Sequence, residues 1–171
     1  PTHLEAKHPN IKTVRVQNAA EMLHATQQYF PESDITIAAA AVAYFTPVNT
    51  SEHKIKKADN ALSLQLKPTT DILATLGKIK EPDQILIGFA METQNEKANA
   101  QKKLAKKNLD FIVLNSLNDK NAGFKHDTNK VSILQKNGQV IDFPLKTKKA
   151  VADDILNSAS DLLLKKDLAS H

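Results

Sequence analysis

Cysteine is absent from the 171 residues, and so is tryptophan. The first absence excludes disulfide scaffolds, thiolate nucleophiles and Cys-ligated zinc, and it agrees with a reducing, cytoplasmic setting. Arginine is nearly missing too, since Arg15 is the single one. Bidentate guanidinium readout of bases or phosphates is therefore almost lost, and an anion held here is held by lysine charges and backbone. Glycine is scarce. Gly77, Gly88, Gly123 and Gly138 are too widely spaced to build a P-loop or a G-x-G-x-x-G dinucleotide loop. No serine stands in a nucleophile elbow. His3, His8, His24, His53, His126 and His171 show no i,i+4 metal spacing, so they read as surface or loop residues and no metal ligands are identifiable. No apolar run approaches the roughly 18–20 residues of a bilayer span, and Thr36 interrupts the longest, Ile35 to Phe45. Pro1-Thr2-His3-Leu4-Glu5 has neither the basic start nor the apolar stretch of a signal peptide.

What remains is a chain of single-domain length, 41% hydrophobic and 25% charged, with the composition of a globular protein. Its net charge of +4 suits an anionic ligand and is too small to mark a nucleic-acid binder. There is no initiator Met, and the first ten residues, with Pro1 and Pro9, read as a loop. The chain is expected to be a piece of something longer.

Hydrophobic period alternates between strand and helix. Ile11–Val16 alternates as a strand does, and Asn18 with Glu21 forms a capping box for a helix over Ala19–Phe30 that Pro31 stops. Asp34–Val42, Gln84–Gly88 and Asp110–Leu114 are continuous apolar runs, expected of strands buried on both faces of a parallel sheet. Ala61–Leu66 alternates and is expected to pair with Lys54–Lys57 in a flap. Thr69 or Thr70 is expected to cap a short helix over Asp71–Leu76, closed by Gly77. A lysine-rich helix follows over about Glu96–Lys107. Val131–Gln135 and Val140–Phe143 flank Asn137-Gly138, a pair suited to a type I′ hairpin turn. A last amphipathic helix carries Val151, Ile155, Leu162 and Leu163 on one stripe. The expected fold is α/β: a Rossmann-like, mostly parallel sheet with helices on both faces, a β flap over about 45–66, and an antiparallel edge hairpin.

Two basic clusters carry the chemistry. On the helix after Gly88, Lys102/Lys106 and Lys103/Lys107 form two columns of like charge one turn apart, which repel by a few tenths of a kcal/mol each. Such columns are either a solvated face or an anion site that an arriving polyphosphate relieves. Lys54-Ile55-Lys56-Lys57 is either an edge-strand gatekeeper or part of the same site. Open α/β sheets bind ligands beyond their strand C-termini, where Gly88-Phe89 stands. Phe89 is either core or a stacking surface for a base or sugar.

Several strings taken in order add a resemblance. They are Ala40–Ala43, Lys54–Lys57, Pro68–Leu73, Gly88–Thr93, Lys103–Asp110, Asn115, and Gly123-Phe124 with Asp127 and Asn129. Together they resemble the phosphopantothenate–cysteine ligase domain of bacterial coenzyme A biosynthesis flavoproteins, from about Val14 to the last helix. Those bifunctional proteins carry an FMN-dependent phosphopantothenoylcysteine decarboxylase ahead of the ligase, so FMN would belong to a domain outside this chain. The resemblance implies a homodimer, or a higher oligomer with the decarboxylase attached, and substrates CTP, with Mg²⁺, 4'-phosphopantothenate and cysteine. It implies no nucleic acid and no membrane. By position it places CTP contacts on Ala38, Ala39, Ala40, Tyr44, Lys54, Thr69, Thr70, Asp71, Ile72, Phe89, Lys103 and Lys107, with Lys54 as the catalytic residue. It also favours the Lys103/Lys107 column over Lys102/Lys106.

Two departures stand out. Tyr44 occupies the position where the family carries Asp, and the family's glycine-rich first strand–loop, with its acyl-binding Asn, has no counterpart and would precede Pro1. A different class therefore stays open: a non-catalytic nucleotide- or protein-binding module on the same sheet. A methyltransferase-like enzyme is weaker, because no G-x-G loop supports it.

Overall fold

Glu21 and Asn18 satisfy each other at the start of the first helix. The Glu21 amide donates to Asn18 Oδ1 at 2.9 Å, the first half of the expected capping box, while the Glu21 carboxylate accepts from Asn18 Nδ2 at 2.7 Å and from the Gln17 amide at 2.7 Å, one residue before the cap. The computed structural model of the protein describes residues 6–51, 53, 63–92, 94–116 and 127–169. Its elements in chain order begin with α1 (Ala19–Tyr29), a 3-10 turn (Phe30–Glu32), β1 (Ile35–Ala38), β2 (Phe45–Pro47) and β3 (Leu66–Pro68). Then come α2 (Ile72–Ile79), β4 (Ile85–Glu92), α3 (Glu96–Lys106), β5 (Phe111–Ser116) and β6 (Thr128–Asn129). The chain continues through β7 (Val131–Gln135), β8 (Val140–Asp142), β9 (Lys146–Thr147) and α4 (Lys148–Ala169).

These elements fall into two units, one from Pro1–Tyr29 and Val42–Thr70, the other from Phe30–Ala41 and Asp71–His171. The second holds a five-stranded sheet in the order β1-β4-β5-β7-β8. β1, β4 and β5 run parallel, and β7 and β8 add an antiparallel hairpin at one edge. One face of this sheet packs Ile85, Ile87, Phe111, Val113, Val131 and Ile133 against Val151, Ile155 and Ala159 of α4. On β4 the alternate residues Leu86 and Gly88 look the other way. There α2 lies so close that a Cβ on Gly88 would stand 2.7 Å from Leu73 Cδ2. Leu76 of α2 and Ala100 and Leu104 of α3 are fully buried. Helices thus cover both faces of a mainly parallel sheet, as the apolar runs implied.

A buried ionic knot ties the strand N-termini together. Asp110 accepts from Lys80 Nζ at 2.7 Å, from Lys166 Nζ at 2.9 Å and from the Leu86 amide at 2.8 Å. Burial would raise its carboxyl, but these donors outweigh that and hold the pKa below the ordinary value. Burial in turn lowers the Lys80 ammonium, with Asp110 offsetting part of the effect. Because Lys166 also donates to the Pro82 and Gln84 carbonyls, the knot fixes the end of α4 against the strand ends.

The first unit holds α1 and the antiparallel pair β2–β3, with Phe45 opposite Pro68. The described partner of Leu66–Pro68 is Phe45–Pro47; Lys54–Lys57, the partner expected for the flap, lie outside the described residues. Ile11–Val16 is irregular, with Ile11 and Val14 exposed. Among the described residues no strand lies beside it, and alternation without a ladder partner does not make a strand.

Three local readings change as well. β1 ends at Ala38, where its register with β4 stops at Gly88, so Ala39–Val42 is not strand. Gly77 lies inside α2 instead of ending it, for a reason that concerns Lys107 below. At Asn137-Gly138 the only positive φ is that of Gly138, +87°; Gly138 N donates to Gln135 O, and Gln135 N to Gln139 O. This is a type I turn with a G1 bulge, which needs one glycine in the left-handed region, not a type I′ turn.

Candidate functional site

Three elements of the second unit meet around the lysines of α3. Asp71 caps α2, its Oδ1 accepting from the Ala74 amide at 3.0 Å. The cap is therefore Asp71, not Thr69 or Thr70. The same carboxylate pairs with Lys107 Nζ at 2.9 Å. Burial would raise the Asp71 carboxyl, but the Ala74 amide and Lys107 bring it below the ordinary value. One turn earlier on α3, Lys103 Nζ meets Glu92 Oε1, at the end of β4, at 2.5 Å. Lys102 and Lys106 are exposed on the same helix. The two columns are thus physically unequal. One is drawn into carboxylates from two other elements, and the other faces water.

Close packing fixes Lys107 further. Its carbonyl oxygen would lie 1.9 Å from a Cβ on Gly77, and Asn108 Nδ2 donates to the Gly77 carbonyl at 3.0 Å. Gly77 is therefore where α2 and the end of α3 touch backbone to backbone, which a side chain would prevent.

Ala38 is in register with Gly88, so Ala38, Ala39 and Ala40 leave the sheet at the end where Phe89 follows on β4. Ile37, Phe89 and Met91 share one face there and are each more than a third exposed. Asn115 is the neighbour of Met91 on β5, and among the described residues its buried Oδ1 has no hydrogen-bond partner. A buried acceptor left empty costs about 1–3 kcal/mol, so this atom is suited to receive an N–H from a ligand. Ile72 is buried in the first turn of α2.

In the first unit Tyr44 is 78% exposed, and its carbonyl accepts from the Thr69 amide at 2.9 Å. Among the described residues the buried Thr69 Oγ1 has no hydrogen-bond partner, and Thr70 is exposed. Lys54 lies outside the described residues, as do Gly123, Phe124, His3, His126 and His171. His8, His24 and His53 are exposed. Among the described residues no group of three or more His, Asp or Glu gathers as a metal site, and no helix is long and apolar enough to cross a membrane.

The second unit thus brings Asp71, Ile72, Lys103 and Lys107 to one corner and Ala38 beside Gly88-Phe89. Glu92 escaped sequence reasoning. It lies eleven residues before Lys103 across a strand end and a loop, a separation at which no spacing rule operates.

Residues 1–163 match the family model described as the DNA/pantothenate metabolism flavoprotein C-terminal domain. The chain belongs to this family. It is 44% identical over 162 residues to the coenzyme A biosynthesis bifunctional protein CoaBC of Bacillus subtilis (strain 168), covering 95% of this chain and 40% of that protein. It is 48% identical over 163 residues to a protein of an unknown prokaryotic organism named cysteine/cysteine sulfinic acid decarboxylase, covering 95% of this chain and 45% of that one. The crystal structure of the C-terminal domain of a CoaBC superposes with a TM-score of 0.77 at 38% identity, covering 96% of this chain and 74% of that one. The chain spans less than half the length of these two curated relatives. As a member of the flavoprotein C-terminal domain family, it bears out the resemblance in its motifs and the α/β fold expected from it.

Proposed function

We propose that this domain ligates 4'-phosphopantothenate to cysteine at the expense of CTP, in coenzyme A biosynthesis. The observation that carries the proposal is the unequal lysine columns: Lys103 and Lys107 stand one turn apart beside the sheet end, the pair that the resemblance assigns to a triphosphate. A carboxylate is a poor electrophile, so it is first activated. Its oxygen attacks the α-phosphorus of CTP, an O–P bond forms, and pyrophosphate leaves. The cysteine amine then attacks the acyl carbon of the cytidylate, loses a proton, and CMP departs with the C–O bond electrons.

This chemistry asks the protein for no nucleophile, in keeping with a chain without cysteine. It asks for alignment of two anions and for compensation of charge between them. Lys103 and Lys107 supply that charge to the β- and γ-phosphates, while backbone of Ala38–Ala40 and the ring of Phe89 receive the nucleoside. Asn115 Oδ1 is an acceptor for an amino group there. Tyr44, Lys54, Thr69 and Thr70 keep the roles the resemblance implies, with Lys54 the catalytic charge. Mg²⁺ is proposed to arrive on the triphosphate. A cytoplasmic homodimer, joined to an FMN-dependent decarboxylase domain, completes the proposal.

A second reading rests on Tyr44 and on the decarboxylase name of one relative: a nucleotide- or protein-binding module within a protein that decarboxylates cysteine or its sulfinic acid. Pyrophosphate release from CTP that requires 4'-phosphopantothenate, turns over repeatedly only when cysteine is added and is faster than from ATP supports the ligase. Carbon dioxide released from cysteine alone, without nucleotide turnover, supports the second reading.

A further inference from the structure

The two ion pairs on α3 differ in what their carboxylates already do. Asp71 is committed to the cap of α2 through the Ala74 amide, and half of its side chain is exposed. Glu92 is only 16% exposed, and among the described residues Lys103 is its one partner. A carboxylate that far out of water leaves its partner at the cost of an unpaired, poorly hydrated charge. Lys103 itself is 36% exposed, so its ammonium is reachable from outside. An ammonium has three N–H donors, and Glu92 engages one of them.

From this arrangement we infer that Glu92 is the positioning residue for Lys103. Glu92 holds the ammonium at the C-terminal end of β4 with one donor fixed and the others left for an incoming phosphate. It stays in place when the polyphosphate binds, so the bound state is a carboxylate–ammonium–phosphate chain and not an exchange of partners. A free lysine loses rotamer freedom when it binds a phosphate, a cost that an ammonium already held in place does not incur again. The inference rests on the ligase reading only in placing a polyphosphate at Lys103.

Calorimetric titration of the intact protein with CTP, and separately with inorganic tripolyphosphate, tests it. Glu92→Ala removes the anchor and is expected to weaken both ligands about tenfold, while Glu92→Gln, which keeps an acceptor oxygen at the same reach, recovers affinity to within about threefold. In a Lys103→Ala background, Glu92→Ala is expected to have no further effect on either ligand. Thermal melts of each variant check that the fold is kept.

Tighter binding by Glu92→Ala would overturn the inference, because Glu92 would then be a rival to the phosphate. Equal losses with and without Lys103 would overturn it too. If Lys103→Ala itself leaves both affinities unchanged, the polyphosphate reading fails. If Lys103→Ala weakens binding and Glu92→Ala does not, the positioning role alone fails.

Discussion

The carbonyl oxygen of Lys107 stands 1.9 Å from the point that a Cβ on Gly77 would occupy. Gly77 is thus part of what positions a lysine of the candidate site, thirty residues away in sequence. An alanine there gains helix propensity of about 1 kcal/mol, yet it meets a backbone carbonyl that has no rotamer to change. Gly77→Ala is expected to destabilise the protein by about 2–3 kcal/mol and to weaken CTP binding, since Lys107 must shift with its backbone. Denaturant melts and calorimetry read the two effects. Unchanged stability would mean that α2 and α3 separate freely.

The lysine columns can be told apart directly. Lys103→Ala and Lys107→Ala are each expected to cost about tenfold in CTP affinity, some 1.4 kcal/mol, and Lys102→Ala and Lys106→Ala less than twofold. Added salt should shrink every effect, most for exposed residues. Comparable losses in both columns would describe a diffuse basic face.

How far the sequence foretold this arrangement depends on the kind of interaction. Ile85–Gly88 and Phe111–Leu114 are legible because a strand buried on both faces must be apolar throughout, and nothing else in the chain has to be known. Asn18 and Glu21 are legible because a helix cap and its partner lie within four residues of each other. Ile11–Val16 misleads for the converse reason, since its alternation describes one strand and a ladder needs two. Gly77 misleads because a glycine near the end of a helix reads alike whether it stops the helix or admits a neighbour's backbone. Asn137-Gly138 predicts a hairpin correctly, but the dipeptide alone does not separate a type I′ turn from a bulged type I turn. The Glu92–Lys103 pair is invisible in sequence because it joins a strand end to a helix that packs beside it.

Asp71 does two things that one substitution can separate. Asn is as good an N-cap as Asp, so Asp71→Asn keeps the bond from the Ala74 amide while removing the charge opposite Lys107. Stability near neutral pH should change by less than about 0.5 kcal/mol, because the ion pair is half exposed. A large fall in melting temperature would mean that the pair, and not the cap, holds α2.

The knot at Asp110 sets an acid limit. Its folded pKa lies below the unfolded value of about 4, so its contribution is fully present above that value and is lost as pH falls through the folded one. Asp110→Asn is expected to cost about 3 kcal/mol at pH 7, roughly 6–12 °C in Tm, because Lys80 is left buried without a counter-charge. As pH falls below about 4 the gap between variant and wild type should narrow. A gap that stays constant over that range would assign the loss to packing and not to charge.

Tyr44 offers the sharpest test of what this chain does with its substrates. The side chain is 78% exposed, and the bond that ties Tyr44 to Thr69 uses the Tyr44 backbone carbonyl, so the side chain can be exchanged without disturbing β2 and β3. Tyr44→Asp is accordingly expected to shift stability by no more than about 0.5 kcal/mol. The resemblance places an aspartate at this position among the nucleotide contacts. In the intact protein, Tyr44→Asp is expected to raise the rate of CTP-dependent pyrophosphate release if the tyrosine costs the ligase a contact. Tyr44→Phe separates the hydroxyl from the ring and should behave as the wild type does. A fall in ligase rate with Tyr44→Asp, at unchanged melting temperature, would show that the tyrosine is itself part of a working site. No change in either rate or nucleotide affinity would place Tyr44 outside the site, and the departure from the family pattern would then lose its weight as support for a non-catalytic module.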